Sequence, residues 1–297
     1  MGVDVDSTDP DGVVHLRYNS TRPPGVFFDT NVILGLGDAG EAALRRLKAE
    51  CGFRFCFSML NFVELLSHLS DAPSEKTANP FGKYRAAFRR VYSLFDGVLP
   101  SAESMLMRGV GLKESTGKMW IVDGASIEYQ VKVIAQADSL EDVLKVGISP
   151  AHYKMLRAIG AKSFLGVVAE ARNTVTDPVK DLEAGGRLLR RFYGYLIFRA
   201  SNEAIHFEKL PDDQKLAVTA FFDQAGGKMF VSHVLKLLIR MIHDGAKDDA
   251  NDFYDMLQLL LLADTNLLFV TDDRPFFQYY VGTEHHRIVR WQRFKDA

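Results

Sequence analysis

The amino-acid sequence predicts an α/β fold: a central parallel sheet whose strand–helix alternation is broken by a long all-helical stretch. Three observations lead there. Short apolar runs, beginning with Gly25-Val-Phe-Phe-Asp29, have the look of buried strands. Amphipathic segments alternate with them, as in βαβ units. Between about residues 112 and 241 that alternation stops, and helical signals take over.

Element by element, residues 1–24 are polar and acidic, carry Asp4, Asp6, Asp9 and Asp11, close on Pro23-Pro24, and read as a flexible arm. The first strand follows at 25–29 and a helix at 40–50, with Asp38 as its cap. Phe53-Arg-Phe-Cys-Phe-Ser58 is a second strand by aromatic content. Ser58 then caps a helix carrying Phe62, Val63, Leu66 and Leu69. Residues 71–83 read as loop, 83–95 as an amphipathic helix, 97–100 as a short strand, and a helix starts near Ser101. Within the interruption, 118–122 is a weak strand signal, Ser149-Pro150 opens a helix, and further helices fall at 177–206, 211–224 and 229–243. Alternation resumes with a helix at 248–263, a strand at 267–270, a helix after Asp273 and a last strand at 287–291. The division is therefore an arm (1–24), a core in two pieces (25–111 and 244–297) and a helical insertion (112–243).

Composition sets the bounds. With 297 residues, 47% of them apolar and 25% charged, the chain has an ordinary globular balance. Apolar stretches such as 256–263 run about eight residues and include Gln258; a bilayer span takes about 18 or more. A membrane protein is thus not expected, and the first twenty residues lack the basic-then-apolar order of a signal peptide. Cys51 and Cys56 make neither a disulfide framework nor a zinc quartet, so a reducing, cytoplasmic compartment is expected. The net charge of −2 argues at first sight against nucleic acid, but it is an average. Residues 244–255 hold Asp244, Asp248, Asp249, Asp252 and Asp255 against Lys247 alone. Two bound divalent ions would reverse the total to about +2.

Four acids fall where strand ends and early helix turns gather side chains. Asp29 closes the first strand, Glu64 follows the second, Asp255 lies in the helix before the 267–270 strand, and Asp273 comes just after it. In open parallel sheets ligands bind beyond the carboxyl ends of the strands. Carboxylates crowded into one site repel one another unless a cation neutralises them, and oxygen-only ligands suit Mg²⁺ or Mn²⁺. The common use of such a site is phosphodiester hydrolysis by a metal-activated water. Asp252, one helical turn before Asp255, and Asp272, beside Asp273, are further candidates.

The segments Val26-Phe-Phe-Asp29-Thr30-Asn31, Ser58-Met-Leu-Asn-Phe-Val-Glu64-Leu65, Asp252-Phe-Tyr-Asp255 and Val270-Thr271-Asp272-Asp273 together resemble the PIN-domain nucleases. Asp255 stands sixteen residues before Thr271, a spacing that matches the family's pattern. The resemblance covers under half of the chain. It implies a PIN-like α/β/α sandwich and metal-dependent endonucleolytic cleavage of RNA, less often DNA. Asp29, Glu64, Asp255 and Asp273 become metal ligands, with Thr30, Asn31, Ser58 and Thr271 in supporting roles. The long insertion is a departure from small members. The family includes toxins of toxin–antitoxin pairs and RNA-processing enzymes, so an antitoxin or other protein partner and a homo-oligomer are compatible with the resemblance. A catalytically weak PIN-fold scaffold and a structure-specific DNA nuclease are the alternatives.

Single-stranded RNA would also need phosphate and base contacts. Arg85, Arg89 and Arg90, interleaved with aromatic residues, form one candidate surface; Arg187, Arg190 and Arg191, beside Phe192 and Tyr193, form another. Arg274, next to the acids, is a third candidate. Gly35-Leu-Gly37-Asp-Ala-Gly40 has the spacing of a dinucleotide fingerprint, but it does not follow the strand directly, as that mechanism requires.

Overall fold

The computed structural model of the chain describes residues 3–8, 14–18, 24–112, 123–174, 177, 180–181, 186–200, 207–242, 250–278 and 285–296. Two sheets are present among them. β1 (Val3–Thr8) and β2 (Val14–Tyr18) pair antiparallel, Val3 opposite Tyr18 and Val5 opposite Leu16. This corrects the expectation of a loose arm. The signal lay in the sequence: Val3, Val5, Val14, Leu16 and Tyr18 alternate with polar residues, and Pro10-Asp11-Gly12 between the runs has turn composition.

The second sheet is the centre of the fold. β3 (Gly25–Phe28), β4 (Arg54–Phe57), β5 (Gly97–Val98), β6 (Leu267–Val270) and β7 (Ile288–Val289) run parallel in the order β5-β4-β3-β6-β7. The chain leaves β3 toward β4 and β5, then returns on the other side of β3 to lay down β6 and β7. The switch point therefore lies between β3 and β6, where the ends of adjacent strands open a crevice. Register fixes it: Phe27 is opposite Phe269 and Phe28 opposite Val270.

Both faces of β3 are covered, which explains its unbroken apolar run. Phe27 stacks on Phe269 at 4.7 Å, and Phe269 meets Phe276 edge-on at 5.0 Å. Phe28, pointing to the opposite face, meets Phe55, Phe95, Trp291 and Phe294 at 5.5–6.3 Å.

Helix starts follow their capping chemistry. α1 (Thr30–Gly35) begins directly after β3 and α2 (Asp38–Cys51) follows it. α3 (Met59–Ser67) is capped by Ser58, whose hydroxyl accepts from Asn61 N while the Asn61 side chain reaches back to the Ser58 backbone. α4 (Pro80–Leu94) begins three residues before the sequence expectation, because Asn79 caps it and Pro80 suits a first helical turn. α5 (Ala102–Gly109) is capped by Ser101. The terminal strand is shorter than expected: the Asp272 carboxylate accepts from Trp291 N at the start of the helix Trp291–Asp296, which leaves only Ile288 and Val289 in the ladder.

From residue 123 onward α6 (Gly124–Gln136), α7 (Leu140–Lys145) and α8 (Pro150–Thr174) lead into the helices Arg187–Ala200, Asp212–Asp223 and Ala225–Ile242. These helices share one continuous apolar core with the sheet domain. Phe164 of α8, for example, stacks on Phe253 of the helix Ala250–Leu260 at 4.6 Å. The expected strand at 118–122 and the acidic run 244–249 lie outside the described residues. Among the described residues no helix is long and apolar enough to cross a membrane.

Candidate acidic site at the strand ends

Asp29 is the first residue past β3 and is only 3% exposed. Its backbone N–H donates to Val270 O, a bond that ties the end of β3 to the end of β6. Thr271, the first residue past β6 and fully buried, donates its hydroxyl to Asp29 Oδ2 at 2.8 Å. The same hydroxyl accepts from the Asp273 backbone N–H at 3.0 Å. One threonine thus fixes a carboxylate of one strand end and the loop of the other.

A second threonine works the same way one residue after Asp29. Thr30 Oγ1 donates to Glu64 Oε2 at 2.6 Å and accepts from Asn61 Nδ2 at 3.0 Å. Asn61 Oδ1 in turn accepts from the Ser58 hydroxyl at 2.7 Å. Ser58, Asn61 and Thr30 are buried, so this chain of hydrogen bonds is fully satisfied inside the fold and aims Glu64 at the site. Glu64 itself is half-exposed.

Electrostatics tie Asp29, Glu64 and Asp273 into one group. Burial pushes the Asp29 carboxyl up to about 6; the Thr271 hydrogen bond opposes the rise, and the charges of Glu64 and Asp273 add to it. Asp273 is also raised, by burial and then by Glu64. Repulsion among carboxylates in a low-dielectric pocket is relieved by a cation. In donor chemistry the three acids fit a hard divalent ion. Among the described residues, however, no group of three or more His, Cys, Asp and Glu side chains is arranged to hold a metal as it stands. Glu64 hydrogen-bonds to Thr30, and Asp29 to Thr271.

The remaining expected residues divide. Asp255 is half-buried on the helix Ala250–Leu260, next to Tyr254, whose hydroxyl donates to Arg157 O at 2.6 Å beside the site. Of Asp252 the structure describes the helical backbone and not the side chain. Asp272 is exposed and caps the last helix through Trp291 N. The Asn31 side chain is exposed; its backbone N–H supports the Asp29 carboxylate. Arg274 is exposed at the start of a short helix. The first basic cluster is engaged in packing: Arg85 pairs with Asp138 at 3.0 Å, Arg89 donates to Ala135 O, and Arg90 pairs with Glu41 at 3.1 Å. Arg191 pairs with Glu170 at 2.8 Å and Arg190 is exposed, while the Arg187 side chain lies outside the described residues.

Two participants escaped the sequence reading. Asn61 had a signal, as the third residue after a capping serine. Arg157 had none: it comes from α8, in the helical stretch between β5 and β6, and places Nη2 3.5 Å from Glu64 Oε1.

Thr271→Val keeps the shape and removes the hydroxyl that serves both Asp29 and Asp273. It should cost about 1–3 kcal/mol, because the buried Asp29 carboxylate and the half-buried Asp273 N–H lose their partner. Urea unfolding checks this; an unchanged midpoint would mean that water replaces the hydroxyl. Compared with family models, curated proteins and solved structures, the chain finds no match.

Proposed function

We propose that the chain is a Mg²⁺- or Mn²⁺-dependent endoribonuclease of PIN-like α/β/α architecture that hydrolyses single-stranded RNA. One observation carries this reading. Asp29 and Asp273 sit at the carboxyl ends of the two strands that flank the switch point, with Glu64 electrostatically coupled to both. Asp29, Glu64, Asp255 and Asp273 would hold the metal. A divalent ion there supplies an activated water and charge to stabilise the leaving oxygen. The chain's own contribution is preorganisation: Thr271 and Thr30 hold two of the acids in fixed rotamers against their mutual repulsion. Because a ligand must be deprotonated to bind a metal, Mn²⁺ affinity should weaken as the pH falls through about 6, where Asp29 takes up its proton. Titration calorimetry at several pH values reads this; a pH-independent affinity would remove Asp29 from the ligand set.

A second reading is supported by Glu64 already resting on Thr30 and Arg157: a catalytically weak RNA- or protein-binding scaffold. Incubating the full chain with Mn²⁺ and end-labelled single-stranded RNA or DNA separates the two. Internal cleavage of RNA, lost in Asp255→Asn and Asp273→Asn, supports the nuclease. RNA binding without cleavage supports the scaffold. Preference for flapped or branched DNA points instead to a structure-specific DNA nuclease.

A further inference from the structure

We propose that Arg290, braced on Phe277, grips a phosphate of single-stranded RNA at the Asp273 side of the acidic group; the inference rests on the nuclease reading above. Arg290 is the first residue past β7, as Asp29 is past β3 and Thr271 past β6. It therefore belongs to the row of strand ends at which parallel sheets bind their ligands. The backbone on either side of it is tied to the loop that carries Asp273. Val289 O accepts from Thr271 N at 3.0 Å, and Trp291 N donates to Asp272 Oδ1 at 3.1 Å. Thr271 is also the residue whose hydroxyl serves both the Asp29 carboxylate and the Asp273 N–H. The backbone of Arg290 is thus fixed relative to two of the acids.

Its side chain is held as well. The guanidinium lies over the Phe277 ring, 4.1 Å from the ring centre. Phe277 is partly buried, on the short helix Arg274–Gln278 that starts directly after Asp273. Stacking uses the flat face of a guanidinium and leaves the N–H groups at its edge free to donate in plane. Arg290 is exposed, and among the described residues those donors have neither a hydrogen-bond acceptor nor a carboxylate partner. The neighbouring arginines differ. Arg287 is buried and donates to the carbonyls of Leu262, Asp264 and Leu267. Arg274 is exposed, and among the described residues no ring braces it. Arg290 alone of the three is both oriented and open. Its planar fork matches the paired oxygens of a phosphodiester, and orientation before binding lowers the entropy lost when the contact forms. No internal partner has to be displaced first.

The test uses the full chain and a labelled single-stranded RNA, with binding read in Ca²⁺ and cleavage in Mn²⁺. Arg290→Gln should weaken binding about tenfold and make the slope of log K against log salt shallower by about 0.7. Phe277→Leu keeps the charge and removes the brace, so affinity should fall about two- to fivefold while the slope stays. Lys132→Gln removes an exposed charge from α6, beside β5 at the opposite edge of the sheet, and should leave both unchanged. Unchanged affinity and slope in Arg290→Gln would overturn the proposal. So would an equal loss in Lys132→Gln, which would mean that RNA responds to net charge alone. Wild-type chain that cleaves RNA, with Arg290→Gln binding it equally well, refutes the grip and leaves the nuclease standing. Binding that depends on Arg290 but brings no cleavage supports the grip and refutes the nuclease. Wild-type chain that binds no RNA refutes both.

Discussion

Asp29→Asn should abolish cleavage and, in the absence of metal, make the protein more stable. The loss of activity should exceed about a hundredfold, because disturbing even the outer partners of a metal ligand costs about 10–100-fold. The gain in stability follows from the buried carboxyl. Its pKa is raised from 3.8 to about 6 by burial, partly offset by Thr271 and reinforced by Glu64 and Asp273. An acid raised in the folded state binds its proton more tightly there than when unfolded, so stability falls as pH rises. The contribution is nil below about pH 4, where both states are protonated. It grows unfavourable between about 4 and 6 and is fully present above 6. At 1.36 kcal/mol per unit the penalty near pH 7 is of the order of 3 kcal/mol. The substituted amide carries no charge, and its carbonyl oxygen can still accept from Thr271. The variant's advantage in urea should therefore be absent at pH 4 and largest at pH 7. Saturating Mn²⁺ should reverse the ranking, since at about 1,000 times Kd a ligand adds about 4.1 kcal/mol to the wild type alone. A variant that is less stable at pH 7, or a gap independent of pH, would show that Asp29 carries no such burden. Retained cleavage would remove the site.

That trade explains what the sequence could and could not reveal. Asp29 and Thr271-Asp272-Asp273 were legible because each directly follows a short apolar strand, and a parallel sheet collects its strand ends whatever lies between them. Ser58 was legible as a helix cap, and Glu64 as a carboxylate among apolar neighbours that would need a partner. The sequence did not disclose which way those acids turn. That depends on Thr30 and Thr271, each shared between an acid and a second group. The paired strands Val3–Thr8 and Val14–Tyr18 were missed because the aspartates of this stretch masked a period-two pattern. The arginines of α4 were misleading for a related reason. Arg and aromatic residues in alternation describe an RNA surface and an amphipathic helix packed on its neighbours equally well. Arg85 and Arg89 reach α6 and the turn after it, and Arg90 reaches α2. Helix-on-helix docking over long separations has no period in the sequence, so Arg157 could not be foreseen.

The same reasoning identifies a buried ion pair that joins the helix Arg187–Ala200 to α5. Arg199 of the helix Arg187–Ala200 donates Nε to Glu103 Oε1 of α5 at 2.7 Å, and the two side chains are 4% and 1% exposed. The guanidinium also lies 4.9 Å from the Phe253 ring centre, on the helix that carries Asp255. Arg199→Met should cost about 3–5 kcal/mol, because Glu103 is left as a buried charge without its counter-ion. Arg199→Met combined with Glu103→Leu should cost far less, since an apolar pair of similar volume removes both desolvation penalties. Urea unfolding of the two single variants and the double variant closes the cycle. Additive losses would mean that the pair does not interact in the folded chain. The consequence for the site follows from what the pair supports. Phe253 precedes Tyr254, and the Tyr254 hydroxyl holds the Arg157 carbonyl. Loosening Arg199 should therefore shift Asp255 and Arg157 together. In the single variant RNA binding and cleavage should fall at temperatures where the protein is still folded, and the double variant should recover both. If activity instead follows stability alone across the three variants, the pair fastens the insertion without steering the acids.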